Sequence, residues 1–253
     1  MFAGPNGSGK SRIQSVIGRE LLGVYINPDD IENGIRERGD ALDLEAYGVS
    51  TTGEEILSFF MRSTLLKQAD LLNEAADLRF NEGKLSFFSV TVNSYFASVA
   101  ADFIRHKLLV THTSFTFETV MSSPDKIAFL AKAKEKGFRI YLYFVATEDP
   151  DINISRVRHR VKIGGHSVPE DKIVSRYYRS LNLLMEAVQL THRAYIFDNT
   201  SHECIWLAEV TNGRLLEMKS DRMPQWFKQG LWDKFAANVA GIQASIKPDN
   251  LER

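Results

Sequence analysis

Eight residues near the start of the chain, Gly4-Pro5-Asn6-Gly7-Ser8-Gly9-Lys10-Ser11, have the types and the spacing to hold a polyphosphate. They satisfy G-x-x-x-x-G-K-[ST] at every fixed position, the Walker A pattern, in which glycines let backbone N–H groups converge on a phosphate. Lys10 is placed to reach the β- and γ-phosphates, the Ser11 hydroxyl to bind Mg²⁺, and the helix that follows to turn its positive end toward the anion. The competing reading, a plain glycine turn before a helix, leaves Lys10 and Ser11 unexplained. Such a loop needs a buried strand in front of it, and only Met1, Phe2 and Ala3 are there to form one. Either strand 1 is unusually short or the natural chain begins upstream of Met1.

Further candidates lie at the ends of apolar runs. Val24–Asn27 reads as a short strand running into Pro28-Asp29-Asp30, so the two acids stand just past a strand's carboxyl end, where open parallel sheets bind ligands. Ser114–Thr119 reads as a strand ending in an acid, Glu118. From Asp149 onward the chain turns basic: between Ser155 and Ser180 seven Lys or Arg face two acids, a local excess of five positive charges. Arg156 and Arg160 share a face by i, i+4 spacing, as do Lys172, Arg176 and Arg179 with one another, so residues 149–190 read as a lid-like basic helix–Gly–helix aimed at phosphates. The plainer readings are a helix cap for Asp29 or Asp30, a surface acid for Glu118 and a solvated helix face for the arginines. His166, between a glycine pair and a helix start, is read equally well as a turn residue. His106, His112 and His192 have no metal-ligand spacing, so no zinc site is expected.

The elements that must position these residues follow from periodicity and punctuation. Ser11 to about Leu22 reads as a first helix closed by Gly23. Residues 54–78 read as one long helix or two, 84–93 as a strand or hairpin and 95–109 as a helix. Ser123, Pro124 and Gly137 bracket another helix, and residues 139–147 form an apolar run suited to a strand covered on both faces. A helix starts at Pro150, and Ser167-Val168-Pro169-Glu170 has the capping-box form for a second. Residues 194–200 read as a last core strand. Asn212-Gly213 signals a hairpin, and 224–246 an amphipathic C-terminal helix. Strands alternating with helices after a phosphate loop argue for an α/β fold, a P-loop NTPase three-layer sandwich with a mainly parallel sheet, a mostly helical insertion and a C-terminal hairpin plus helix. The chain 1–253 is read as one domain, with 40–107 as the insertion within it.

Composition narrows the partners. The chain has 253 residues, 44% hydrophobic, a net charge of −1 and one cysteine, Cys204. It is long enough for one large soluble domain, gives no general case for nucleic acid or membrane, and excludes an internal disulfide. No apolar run near the length of a membrane span and no signal-peptide pattern occurs, which reads as cytoplasmic.

With Gly4–Ser11, Ile26-Asn27-Pro28-Asp29-Asp30, Phe117-Glu118-Thr119, the stretch 156–169 with its Gly-Gly-His-x-Val-Pro, and Ile196-Phe197-Asp198-Asn199-Thr200 in order, the chain resembles the zeta toxin family of P-loop kinases. The resemblance covers about residues 1–39 and 110–213. It implies ATP and Mg²⁺ as cofactors and an acceptor hydroxyl as the target, the family's characterised toxins phosphorylating the sugar of UDP-N-acetylglucosamine. It also implies roles: Lys10 and Ser11 for ATP and Mg²⁺, and Asp29 for the acceptor hydroxyl with Asp30 as its fallback. Glu118 would orient a Mg²⁺-bound water or the acceptor, and Arg156 and Arg160 would act from the lid. His166 and Arg176 belong to the signature without an assigned role, and an antitoxin is an expected partner. A P-loop ATPase switch and a polynucleotide kinase are the alternatives.

Overall fold

The computed structural model describes residues 1–37, 39–163, 165 and 167–238, and the chain divides into two compact units, Met1–Val16 with Thr119 onward, and Ile17–Glu118. His166 and the expected helix beyond residue 238 lie outside the described residues.

The first unit opens with β1 (Phe2–Ala3), two fully buried residues, and reaches α1 (Lys10–Gln14) through the loop 4–9. The helix expected to run to Leu22 stops early. Ser15 Oγ donates to Arg12 O at 2.9 Å, and Val16 N–H goes to Ile13 O at 3.2 Å instead of to Arg12 O, so the i to i−4 pattern is lost. Only a 3₁₀ turn, Arg19–Leu21, follows Gly18.

The second unit holds β2 (Val24–Ile26), α2 (Pro28–Glu37), β3 (Ala41–Asp43), α3 (Gly53–Met61), α4 (Thr64–Gln68) and α5 (Leu72–Ala76). It continues through β4 (Arg79–Asn81), β5 (Lys84–Ser86) and α6 (Ser94–Val110) into β6 (Phe115–Thr119), whose last residue returns to the first unit. The expected one or two helices over 54–78 are three short ones: Thr52 caps the first by accepting from Glu55 N–H, Ser63 caps a new start by accepting from Leu66 N–H, and Asp70 at a φ of 55° breaks the chain before α5. Of the expected strand or hairpin over 84–93 only Lys84–Ser86 pairs. Asn93 must turn there to accept from Tyr95 and Phe96 N–H at the head of α6. β3, β5 and β4 form an antiparallel sheet, and β2 runs parallel to β6 with Tyr25 beside Thr116 and Ile26 beside Phe117. Ile31 and Ile35 of α2, Phe60 of α3 and Phe96, Ile104 and Leu108 of α6 are buried as this unit's core.

Back in the first unit come α7 (Pro124–Glu135), β7 (Tyr141–Ala146), α8 (Pro150–Lys162), α9 (Glu170–Asn182), α10 (Leu184–Leu190) and β8 (Arg193–Asp198). The hairpin β9 (Ile205–Thr211) and β10 (Leu215–Met218) and the short helix α11 (Gln225–Phe227) complete it, the last running on through a π turn over Lys228–Trp232. Five strands lie in the order β10-β9-β8-β7-β1; β1, β7 and β8 are parallel and the hairpin strands antiparallel. Asn212 and Gly213 both have positive φ, 52° and 64°, as a type I′ hairpin turn requires. The expected α/β fold with its mainly parallel strands and C-terminal hairpin is present. Among the described residues no helix is long and apolar enough to cross a membrane.

Candidate functional site

The phosphate loop is the part of the first unit where backbone geometry is most constrained. Gly4, Gly7 and Gly9 have φ of 141°, 73° and 96°, values that side-chain-bearing residues rarely adopt. Space enforces the same choice. A Cβ on Gly4 would lie 2.0 Å from Val145 O, and one on Gly9 2.1 Å from Asn199 Nδ2. Lys10 Nζ donates to Gly4 O at 3.0 Å and Pro5 O at 3.2 Å, so the ammonium arches over the loop it belongs to. Ser8 is fully buried, and its Oγ, together with Asn6 Oδ1 and Arg156 Nη1, is a buried polar atom without a hydrogen-bond partner among the described residues. Such groups are costly unless something pairs them. An anionic ligand cradled by the loop fits that set, since Ser8 and Arg156 offer donors.

The basic residues of the expected lid part into different roles. Arg156 lies on α8 and donates to Thr200 O at 3.4 Å; burial, then the nearby Arg12 guanidinium, lowers its pKa from the usual arginine value. Arg12, just past the loop, donates to His202 O at 2.5 Å and to Asn199 Oδ1 at 3.5 Å, so two guanidiniums meet the turn after β8. Arg160 stands one turn beyond Arg156 on the same helix. Arg158 instead pairs with Glu170 at 2.6 Å, linking α8 to the start of α9 across an exposed face. The capping box expected at Ser167–Glu170 does not form: α9 begins at Glu170 with Pro169 in the cap position, and the carboxylate that would have closed the box is engaged by Arg158. Lys172, Arg176 and Arg179 lie on α9.

In the second unit the predicted acids come together. α2 is capped by Asn27, whose Oδ1 accepts from Asp29 N–H at 3.0 Å, so neither Asp29 nor Asp30 is needed as the cap and both occupy the first turn. The parallel pairing of β2 with β6 sets Tyr25 beside Thr116, two residues before Glu118 on the same face, and the Tyr25 hydroxyl donates to Glu118 Oε1. Burial and the Glu118 carboxylate raise the Tyr25 pKa above the usual phenol value. Asp30 is also raised, by burial first, then by Glu118 and Asp29.

That crowding predicts a pH-dependent stability. The folded protein holds Asp30 less readily ionised than the unfolded chain does, so ionisation destabilises the fold once the pH rises through the raised folded value, and the penalty is absent below the unfolded value of about 3.9. Asp30→Asn is expected to raise the melting temperature at neutral pH and to lose that gain as the pH falls toward 4. Because Asp30 is only partly buried, solvent screening keeps the gain small, on the order of a few tenths of a kcal/mol. Thermal melts of both proteins across pH would show it, and an offset independent of pH would rule the repulsion out.

Sequence patterns alone missed four of the residues that shape these sites: Arg12, Tyr25, Asn153 and Asn199. Asn199 was visible within Asp198-Asn199-Thr200 at a strand end, and Asn153 as a polar residue on the inward face of an otherwise amphipathic helix. Neither pattern names a role by itself.

Comparison with known proteins bears on this arrangement. The family model described as Zeta toxin matches residues 89–211. An uncharacterized protein of Haemophilus influenzae is 35% identical over 72 residues, 28% of this chain and 51% of that protein, so the chain spans about half the length of that curated relative. Among solved structures, the AvrRxo1-ORF1:AvrRxo1-ORF2 complex with sulphate ions is similar at 13% identity and a TM-score of 0.50, over 96% of this chain and 75% of that one. The native form of that complex gives 14% identity and a TM-score of 0.50, over 96% and 74%. At such identity the likeness concerns the fold. The likeness to the zeta toxin family thus spans just under half of the chain, and the fold it accompanies is an α/β fold with a phosphate loop and mainly parallel strands.

Proposed function

We propose that the protein is an ATP-dependent kinase that transfers the γ-phosphoryl group to a hydroxyl of a small acceptor, with UDP-N-acetylglucosamine the leading candidate by family resemblance. The observation that carries the reading is the phosphate loop: glycines at positive φ, Lys10 arched over them, and the buried, unpartnered Ser8 Oγ and Arg156 Nη1. Lys10 would meet the β- and γ-phosphates. Arg156 and Arg160 would neutralise charge that grows as the phosphoryl group leaves. Ser11 would hold Mg²⁺, which supplies further charge neutralisation on the phosphates when bound, and Glu118 is the acid proposed, by family resemblance, to orient a metal-bound water or the acceptor. Asp29, an exposed carboxylate at the head of α2, would accept the acceptor's hydroxyl proton, and phosphoryl transfer asks for little covalent help beyond that.

A compact acceptor is favoured over a polynucleotide because the charge excess is confined to 155–180 and the chain as a whole carries −1. The related AvrRxo1-ORF1 was solved in complex with a second protein, which supports a protein partner, an antitoxin by family analogy, for this chain too. A cytoplasmic location accords with this reading. The test is to incubate the protein with ATP, Mg²⁺ and a panel of nucleotide sugars, nucleosides and oligonucleotides, then analyse products by mass spectrometry. A phosphorylated small acceptor is expected. Phosphorylated oligonucleotide ends would replace this acceptor class with nucleic acid.

A further inference from the structure

Two buried asparagines, one on α8 and one just past β8, grip the phosphate loop by alternate carbonyls. Asn153, fully buried on α8, donates from Nδ2 to Asn6 O at 2.5 Å, and its own Oδ1 is held by the Thr147 hydroxyl. Asn199, buried just past β8, donates from Nδ2 to Ser8 O at 2.7 Å; its backbone N–H is fixed to Ala146 O at 2.8 Å and its Oδ1 accepts from Arg12. The glycines at 7 and 9 are what allow this approach, since a Cβ on Gly7 would lie 2.7 Å from Asn153 O and one on Gly9 2.1 Å from Asn199 Nδ2.

The consequence follows from peptide geometry. In a trans peptide the N–H of one residue points opposite to the preceding C=O, and the described chain has no cis bond. Fixing Asn6 O and Ser8 O therefore turns Gly7 N–H and Gly9 N–H away from the two asparagines. Among the described residues neither of these N–H groups donates to a backbone carbonyl. We infer that Asn153 and Asn199 are positioning residues: each holds one loop carbonyl back, so that the N–H groups of Gly7 and Gly9 are already presented to a phosphate before it arrives. The inference rests on the nucleotide-binding reading above and assigns to the Asp198-Asn199-Thr200 motif a task in binding rather than in chemistry. Preorganising donors removes an ordering cost from binding. The clamp would thus appear in ATP affinity and leave the acceptor step alone.

The experiment measures ATP–Mg²⁺ affinity by calorimetry on the full chain. Asn153→Leu and Asn199→Leu remove the donor at similar size without adding charge. Each is expected to weaken ATP on the order of tenfold, the scale of one lost hydrogen bond to a carbonyl plus a loosened loop. Asn153→Asp and Asn199→Asp keep the shape and add a titration. A carboxylate cannot donate to Asn6 O or Ser8 O, but a protonated carboxyl can, so affinity should recover as the pH is lowered toward about 5, beyond any drift of the unaltered protein. A side chain that merely fills space predicts no such recovery. Leucine variants that melt normally and bind ATP as the unaltered protein does would overturn the clamp. So would aspartate variants whose pH profile matches it, and these decide the matter if the leucine variants do not fold. Absence of ATP binding by the unaltered protein would instead overturn the nucleotide-binding reading.

Discussion

Lys10→Ala is expected to weaken ATP binding by roughly ten- to a hundredfold, the scale of charge-assisted hydrogen bonds to a polyphosphate. The lysine follows Gly9, the N-cap of α1, and its ammonium bonds to the carbonyls of Gly4 and Pro5, so its charge is tethered to the loop. Alanine removes the charge and both bonds. Some loosening of the loop accompanies the loss, and thermal melts alongside calorimetry separate the two: a fold-level defect lowers the melting temperature without nucleotide, whereas a lost phosphate contact lowers the stabilisation that added ATP confers. Equal ATP affinity in both proteins would remove Lys10 from the site.

Asp29→Asn is expected to cut phosphoryl transfer by about 10²- to 10⁴-fold while ATP affinity stays unchanged. The amide preserves the shape of the first turn of α2, whose cap is Asn27 and not the substituted residue, so the helix keeps its start. What is lost is the capacity to accept a proton. Asp30 competes for the role: it occupies the same turn, and burial, Glu118 and Asp29 raise its pKa, which makes it a stronger base once ionised. If Asp30→Asn abolishes transfer and Asp29→Asn does not, the base moves by one residue. Retained transfer in both would exclude this turn as its source.

What the sequence made legible was whatever depends on local chemistry. Glycines, Lys10 and Ser11 announce a phosphate loop at any depth in a fold, and Asn212-Gly213 can hardly be anything but a tight turn. The parallel strands followed from apolar runs alternating with bracketed helices. Misjudged features turned on competition for individual hydrogen bonds. A serine hydroxyl at Ser15 ended a helix that periodicity continued, Ser63 opened a new helix inside a stretch that periodicity joined, and Arg158 engaged the Glu170 carboxylate that a capping box required. The site was read the same way. Charged residues with a spacing were found, whereas the neutral asparagines that hold the loop, and the tyrosine bonded to Glu118, depend on residues more than 90 positions away in the chain. Such partners become visible only when the strands are paired.

The central claim is that a γ-phosphoryl group leaves ATP on this protein and arrives on a hydroxyl. The most direct measurement follows the label of γ-labelled ATP, with Mg²⁺, in the presence and absence of UDP-N-acetylglucosamine. A kinase of the proposed kind moves label onto the nucleotide sugar, releases little free phosphate when no acceptor is present, and loses the transfer in Asp29→Asn. Label that appears only as free phosphate, at a rate indifferent to acceptor and to Asp29, would contradict the account and make the protein a nucleotide-hydrolysing switch.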